Sequence, residues 1–240
     1  MMYTIIHIVY SFSQAMNVEY IIPIMTFWHT ISIQIAKYKS PQLANNAISF
    51  IHCVSFIAHY KYDYHLDYTV HASVAFFMYD LLYMAHRIYT QTKRNDEFAK
   101  QIPFIIHHFA GIFILYSALT EPNGYCILDA YILLENSNIM IYVSYYLNKQ
   151  YTEYKHLKAF SELLQLATYS YFRIIQLSLF IYENRETLLQ YHFITQILIM
   201  MVYSMGYAWS YRLLKKNIHN YYTLTMTMTM TLKGNKSNLQ

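Results

Sequence analysis

Charge is what this chain has least of. Asp, Glu, Lys and Arg make up 12% of its 240 residues, about half the share of a soluble domain. A surface so poor in charge is ill suited to water, and 56% of the residues are hydrophobic. Cysteine is nearly absent: Cys53 and Cys126 both sit in or beside apolar runs, which excludes a disulfide framework and a zinc site. Gly and Pro occur four times each and no internal repeat is present. A transporter built on inverted repeats and Gly/Pro-broken helices is therefore disfavoured. No Glu-x-x-His motif occurs, and the histidines have no organised metal spacing, so neither a metal site nor a haem or di-iron centre is expected. Residues 1–12 are apolar but lack a basic start and a small-residue cleavage site, unlike a cleaved signal peptide. The 28 tyrosines form a compositional bias from which no function is read.

What the chain does have is long apolar runs. Seven candidate spans follow the lead-in, near Glu19–Ala36, Leu43–Tyr60, Tyr68–Ala85, Ile102–Leu119, Tyr125–Leu147, Ala159–Ile181 and Leu188–Tyr211. Each approaches the ~20 residues that cross a hydrocarbon core. The expected fold is all-α, a polytopic membrane bundle of about seven transmembrane helices. Its parts are a lead-in with the first helix (1–39), the main membrane domain (40–216) and a disordered cytoplasmic tail (217–240). In that tail Thr and Met alternate over 223–231 with no evident strand partner. The net charge of +4 raises nucleic acid as a partner, but its distribution points to membrane topology instead. With an external or lumenal N-terminus, fourteen Lys and Arg fall on the cytoplasmic side and two, Lys61 and Arg185, on the other, with Arg173 inside a span. That asymmetry requires an odd number of spans and sets the C-terminus in the cytoplasm. The sequon Asn235-Lys236-Ser237 is then cytoplasmic and unglycosylated.

Polar residues inside spans are the candidate sites, because hydrocarbon penalises them. His107 and His108 lie about 8–9 Å into the fourth span, and Asp80 about 10 Å into the third from the same side. With His86 they form one expected layer on antiparallel neighbours. Successive helical residues point about 100° apart, so the two histidines cannot face one target together. His107 shares a face with Ala110, Gly111, Ile114 and Ala118, small residues that suit close helix contact. This places His107 inward and His108 at the edge. The cluster reads equally as a functional site or as a packing network. Glu135 and Arg173 fall about 15 Å deep in their spans, and a structural ion pair supported by nearby amides is expected. On the second span Asn46, Ser49 and His52 share a face, best read as packing.

Taken in order, these elements resemble the TLC domain shared by translocating-chain-associated proteins, ceramide synthases and a ceroid-lipofuscinosis protein. The residues that carry the resemblance are Asn46 to His52, Phe77 to Leu82, Lys93 to Asp96 followed by His107-His108, Leu133 to Ser137, and Phe172-Arg173. Together they span roughly 40–216. The resemblance implies a six-helix core within the bundle and an endoplasmic reticulum or other endomembrane location. In ceramide synthases the double histidine is tied to acyl transfer from acyl-coenzyme A to a sphingoid amine. Carried over, this would make His107 or His108 the base or acyl acceptor, with Asp80 as partner. Lys93 and Arg94, in a basic loop, would meet the coenzyme phosphates. The chain departs from that pattern: it keeps one acidic residue, Asp129, preceded by Leu128, where a His-Asp pair with a second aspartate stands. No homeobox-like segment is present. It looks closer to small TLC proteins linked to lipid composition, lipid sensing or cargo handling. The expectation is a protein of lipid metabolism or sensing without catalysis. The alternative is a ceramide synthase-like N-acyltransferase with acyl-coenzyme A as co-substrate and no cofactor. Membrane lipids and copies of the chain itself are the candidate partners, not nucleic acid.

Overall fold

A computed structural model of the chain describes residues 18–62, 66–90 and 95–237. Among them every regular element is helical and no strand occurs. The first helices are α1 (Val18–Ala36), α2 (Pro41–Lys61) and α3 (Leu66–Thr90). They are followed by α4 (Asn95–Thr120) and α5 (Tyr125–Gln150). Next come α6 (Lys155–Ser170), a π-helical turn over Tyr171–Gln176, and α7 (Leu177–Glu183) in unbroken succession. The short α8 (Arg185–Leu188) leads to the long α9 (Phe193–Ser237).

Local chemistry explains the ends. Ser40 caps α2 by accepting from the Leu43 amide at 3.3 Å, and Pro41 stands at the first turn, where its missing N–H leaves nothing unpaired. Between α4 and α5 the chain reverses through Asn123 at φ 55° and Gly124. A Cβ at Gly124 would lie 1.8 Å from the Ala118 carbonyl oxygen, so only glycine fits. Glu121, buried at the end of α4, crosses to the start of α9. Its Oε1 accepts from the His192 amide at 2.9 Å and from the Thr195 hydroxyl at 2.7 Å. A carboxylate at a helix N-terminus satisfies exposed amides and opposes the dipole favourably. This clasp ties α4 to α9.

Helix α1 packs on α2 and α3, α2 on α5, α3 on α4, and α5 on α6; α9 lies along α4 and α6. The buried core gathers Ile48, Val70, Val74, Leu115 and Ile127 at the centre of these contacts. Large apolar side chains also face outward on many helices, among them Phe27, Leu82, Phe109, Phe160, Leu179 and Ile197. Among the described residues three segments are long and apolar enough to cross a membrane: Gln101–Thr120 in α4, Tyr125–Gln150 in α5 and Phe193–Tyr222 in α9.

Three expectations change here. The basic loop around Lys93 and Arg94 is expected over Arg87–Gln101, but α3 runs to Thr90 and α4 begins at Asn95, polar residues continuing a helix readily. His86 is exposed and does not join the Asp80 layer. The tail from 217 is not set apart as a coil, since α9 continues to Ser237. The Thr-Met alternation has no sheet to join, while a helix needs only local hydrogen bonds and Met is a good helix former. Residues 1–17, including most of the lead-in, lie outside the described residues.

Candidate functional site

The two groups of polar residues expected inside spans meet around one cavity of about 200 Å³. Its wall takes Ser49 from α2, Asp80 from α3, His107 and His108 from α4, and Glu135, Asn138 and Tyr142 from α5. Arg173 comes from the π turn and Trp209 from α9. The rest is apolar, including Phe76, Phe77 and Ile114. Gly111 sets the approach of α3 to α4: a Cβ there would come within 2.8 Å of the Phe77 ring.

Asp80 and His108 are in direct contact in this wall. His108 Nε2 lies 2.8 Å from Asp80 Oδ2, with both side chains about nine-tenths buried. The other ring nitrogen, Nδ1, is 2.7 Å from the Phe104 carbonyl oxygen. A carbonyl only accepts, so Nδ1 carries a proton, and the proton between Nε2 and Oδ2 is shared by the pair. Asn45 donates to Asp80 Oδ1 at 2.9 Å. Phe77 stands edge-on to the imidazole at 5.1 Å. Both nitrogens of His108 are thus held, and this ring has no free lone pair to serve as base or acyl acceptor.

His107 is the opposite case. Its ring is nearly perpendicular to that of His108, with centroids 5.7 Å apart, and it meets Trp209 edge-on at 5.2 Å. Its Nδ1 is buried without a hydrogen-bond partner. The expected placement is therefore revised: His108 is the more buried ring and faces α3, while His107 faces α9. Helix α4 lies between both neighbours, so two adjacent positions serve two interfaces. Phe104 stacks on Trp209 at 5.7 Å; it lines the cavity and is 46% exposed. Phe104 thus has one side on the cavity and part of its ring on the outer surface.

Glu135 and Arg173 share the deeper wall, but not as the expected direct ion pair. Arg173 Nε donates to Ser137 Oγ at 2.8 Å and Nη2 to Asn138 Oδ1 at 3.3 Å. The Asn138 amide nitrogen in turn approaches Glu135 Oε2 at 3.5 Å. Asn138 thus bridges the two charges. Ser137 and Asn138 are two and three residues ahead on the Glu135 helix, and their reach intercepts the guanidinium first. Arg173 also lies over the Tyr169 ring at 5.3 Å, and its Nη1 is buried without a partner. The π turn supplies its placement: one extra residue per turn re-aims a side chain, a device common at functional sites. Gly206 on α9 leaves room for the Arg173 stem, which a Cβ would meet at 3.4 Å.

The structure brings together Asp80, His107, His108, Glu135 and Arg173. Lys93 and Arg94 lie outside the described residues. His52 accepts a packing role, stacked on Phe76 at 4.0 Å and hydrogen bonded to Ser73 Oγ at 3.1 Å. Asn45 and Trp209 were not singled out by sequence, and Ser137 entered only through the Leu133 to Ser137 stretch. Asn45 adjoins the polar face of Asn46 and Ser49, which was the available signal; Trp209 had none. Among the described residues no group of three or more His, Cys, Asp or Glu is arranged to hold a metal ion. Comparison with family models, with curated proteins and with solved structures finds no significant match to this chain.

Proposed function

We propose that this chain is a seven-pass membrane protein that binds the polar head of a lipid in the cavity between α3, α4, α5 and α9. The observation that carries the reading is the pair of buried, unpartnered atoms on that wall, Arg173 Nη1 and His107 Nδ1. A buried donor without a partner is destabilising by about 1–3 kcal/mol, and a ligand oxygen removes that cost. The volume of about 200 Å³ equals roughly seven waters at ~30 Å³ each. It fits a headgroup and not a whole lipid, so the chains would leave past Phe104 into the bilayer.

Seven passes are supported by length and surface. Helices α1, α2 and α3 have 19, 21 and 25 residues, about 28–38 Å at 1.5 Å per residue. Residues 155–183 run as one helical path, and all of these elements carry exposed apolar side chains. The Lys and Arg distribution supports a cytoplasmic C-terminus, and the TLC-like pattern supports an endomembrane and lipid metabolism or sensing.

The test is mass spectrometry of lipids retained by the purified chain, comparing wild type with His107→Leu. The expected result is one lipid class enriched on wild type and at least tenfold depleted on the variant. Equal retention by both proteins contradicts the reading.

A second reading, N-acyl transfer, is favoured specifically by the free Nδ1 of His107. There the amine nitrogen would attack the thioester carbonyl of acyl-coenzyme A. The C–N bond forms, the C–S bond breaks, and the proton passes through His107 to the departing thiolate. Purified protein with sphingoid base and acyl-coenzyme A tests it. N-acyl product lost in His107→Ala supports transfer, and no product from folded wild type leaves binding alone.

A further inference from the structure

A pocket of about 790 Å³, larger than the histidine cavity, lies where the end of α5, the start of α6 and α9 converge. Four lysines line it: Lys149, Lys155, Lys158 and Lys216. One carboxylate answers them. Glu162 is buried and takes Lys216 Nζ at 2.9 Å and the Asn148 amide at 3.0 Å on the same oxygen, Oε1. Among the lining residues Lys149, Lys155 and Lys158 then carry charges that no carboxylate meets. Lys149 only overlies the Tyr145 ring, at 5.9 Å. The first turn of α6 begins beside them with no side chain capping it, so its free amides add positive potential. On the face of α6 turned away from the pocket stand the exposed apolar side chains of Leu157, Phe160 and Leu164, spaced for one helix face.

We infer that this pocket binds the phosphate-bearing headgroup of an anionic phospholipid. Three uncompensated lysines and a bare helix start suit phosphate oxygens. The lysines stand at the ends of α5 and α6, the cytoplasmic ends of the proposed spans and the depth of lipid headgroups, which favours a lipid over a free anion. Glu162 holds Lys216 and α9 in place and so shapes the pocket from inside. The inference rests on the reading of α6 as membrane-embedded but not on the histidine cavity.

The test is a titration of the detergent-purified full chain with dioctanoyl phosphatidic acid, followed by native mass spectrometry. The variant Lys149→Gln/Lys155→Gln/Lys158→Gln leaves the Lys216–Glu162 contact intact. An equal loss of charge elsewhere, Lys37→Gln/Arg212→Gln/Lys215→Gln, is the control. Each lysine near the surface is worth roughly a fivefold factor, so the pocket variant should lose about a hundredfold in affinity. The control should stay within about threefold, and dioctanoyl phosphatidylcholine should not compete. His107→Leu, measured alongside, should bind as wild type does, which separates this site from the central cavity. Equal losses in both triple variants, equal competition by phosphatidylcholine, or equally tight binding of inorganic phosphate would each overturn the assignment. The thermal transition of each variant, expected within a few degrees of wild type, shows that a loss is not misfolding.

Discussion

At the residue scale the decisive feature is how Asp80 is used. Its carboxylate joins Asn45 on one oxygen and His108 on the other. An asparagine can keep both contacts, because its amide can donate to an unprotonated Nε2 while its carbonyl accepts from Asn45. A leucine keeps neither. Asp80→Leu is therefore expected to destabilise the fold by about 2–4 kcal/mol, two buried groups being left unpaired, and Asp80→Asn by less than about half of that. Thermal unfolding in detergent measures both. The same logic applies to the bridged charges. Glu135→Gln retains an oxygen for Asn138 and should cost about 1 kcal/mol or less. Arg173→Leu strips Ser137 and Asn138 of a donor and strands Glu135, for roughly 3 kcal/mol or more. That Asp80, His107, His108, Glu135 and Arg173 stand on helices was legible in the sequence, because each lies within an apolar run of helical length. Their lateral partners were not. Spacing along one helix gives no information on how neighbours rotate, so Asn45 went unseen and the histidines' roles were exchanged.

At the scale of elements, two devices fix how α4 meets its neighbours. The turn through Gly124 has no space for any Cβ, and Gly124→Ala is expected to abolish the folded state. A loss of the monodisperse peak in detergent chromatography would register it. The Glu121 clasp across to His192 and Thr195 is milder: Glu121→Ala should lower stability by about 1–2 kcal/mol, as a lost helix cap does, with the cavity left intact. Neither device could be read from hydropathy, which sees apolar runs and not the polar ends that join them. The π turn at Tyr171–Gln176 was equally invisible. The sequence there is ordinary for a helix, and the widening is imposed by packing against α5 and α9.

For the whole molecule, the all-helical character follows directly from apolar runs of spanning length, and three of them meet that standard in the structure. The proposed seven-pass topology makes a separate prediction. Cysteine introduced at Lys61 and at Lys215 should react with an impermeant maleimide from opposite sides of sealed membranes. The native Cys53 and Cys126 are buried and should stay silent. Labelling of both from one side contradicts the topology. The central claim, that the cavity around His107 and Arg173 receives a lipid headgroup, is tested most directly by cross-linking. A lipid with a photoactivatable group beside its head is irradiated in membranes containing the protein, and the modified peptides are sequenced. The account predicts adducts on the cavity wall, at His107, Tyr142 or Trp209. Adducts confined to outward-facing side chains such as Leu82, Phe109 and Phe160 would contradict it.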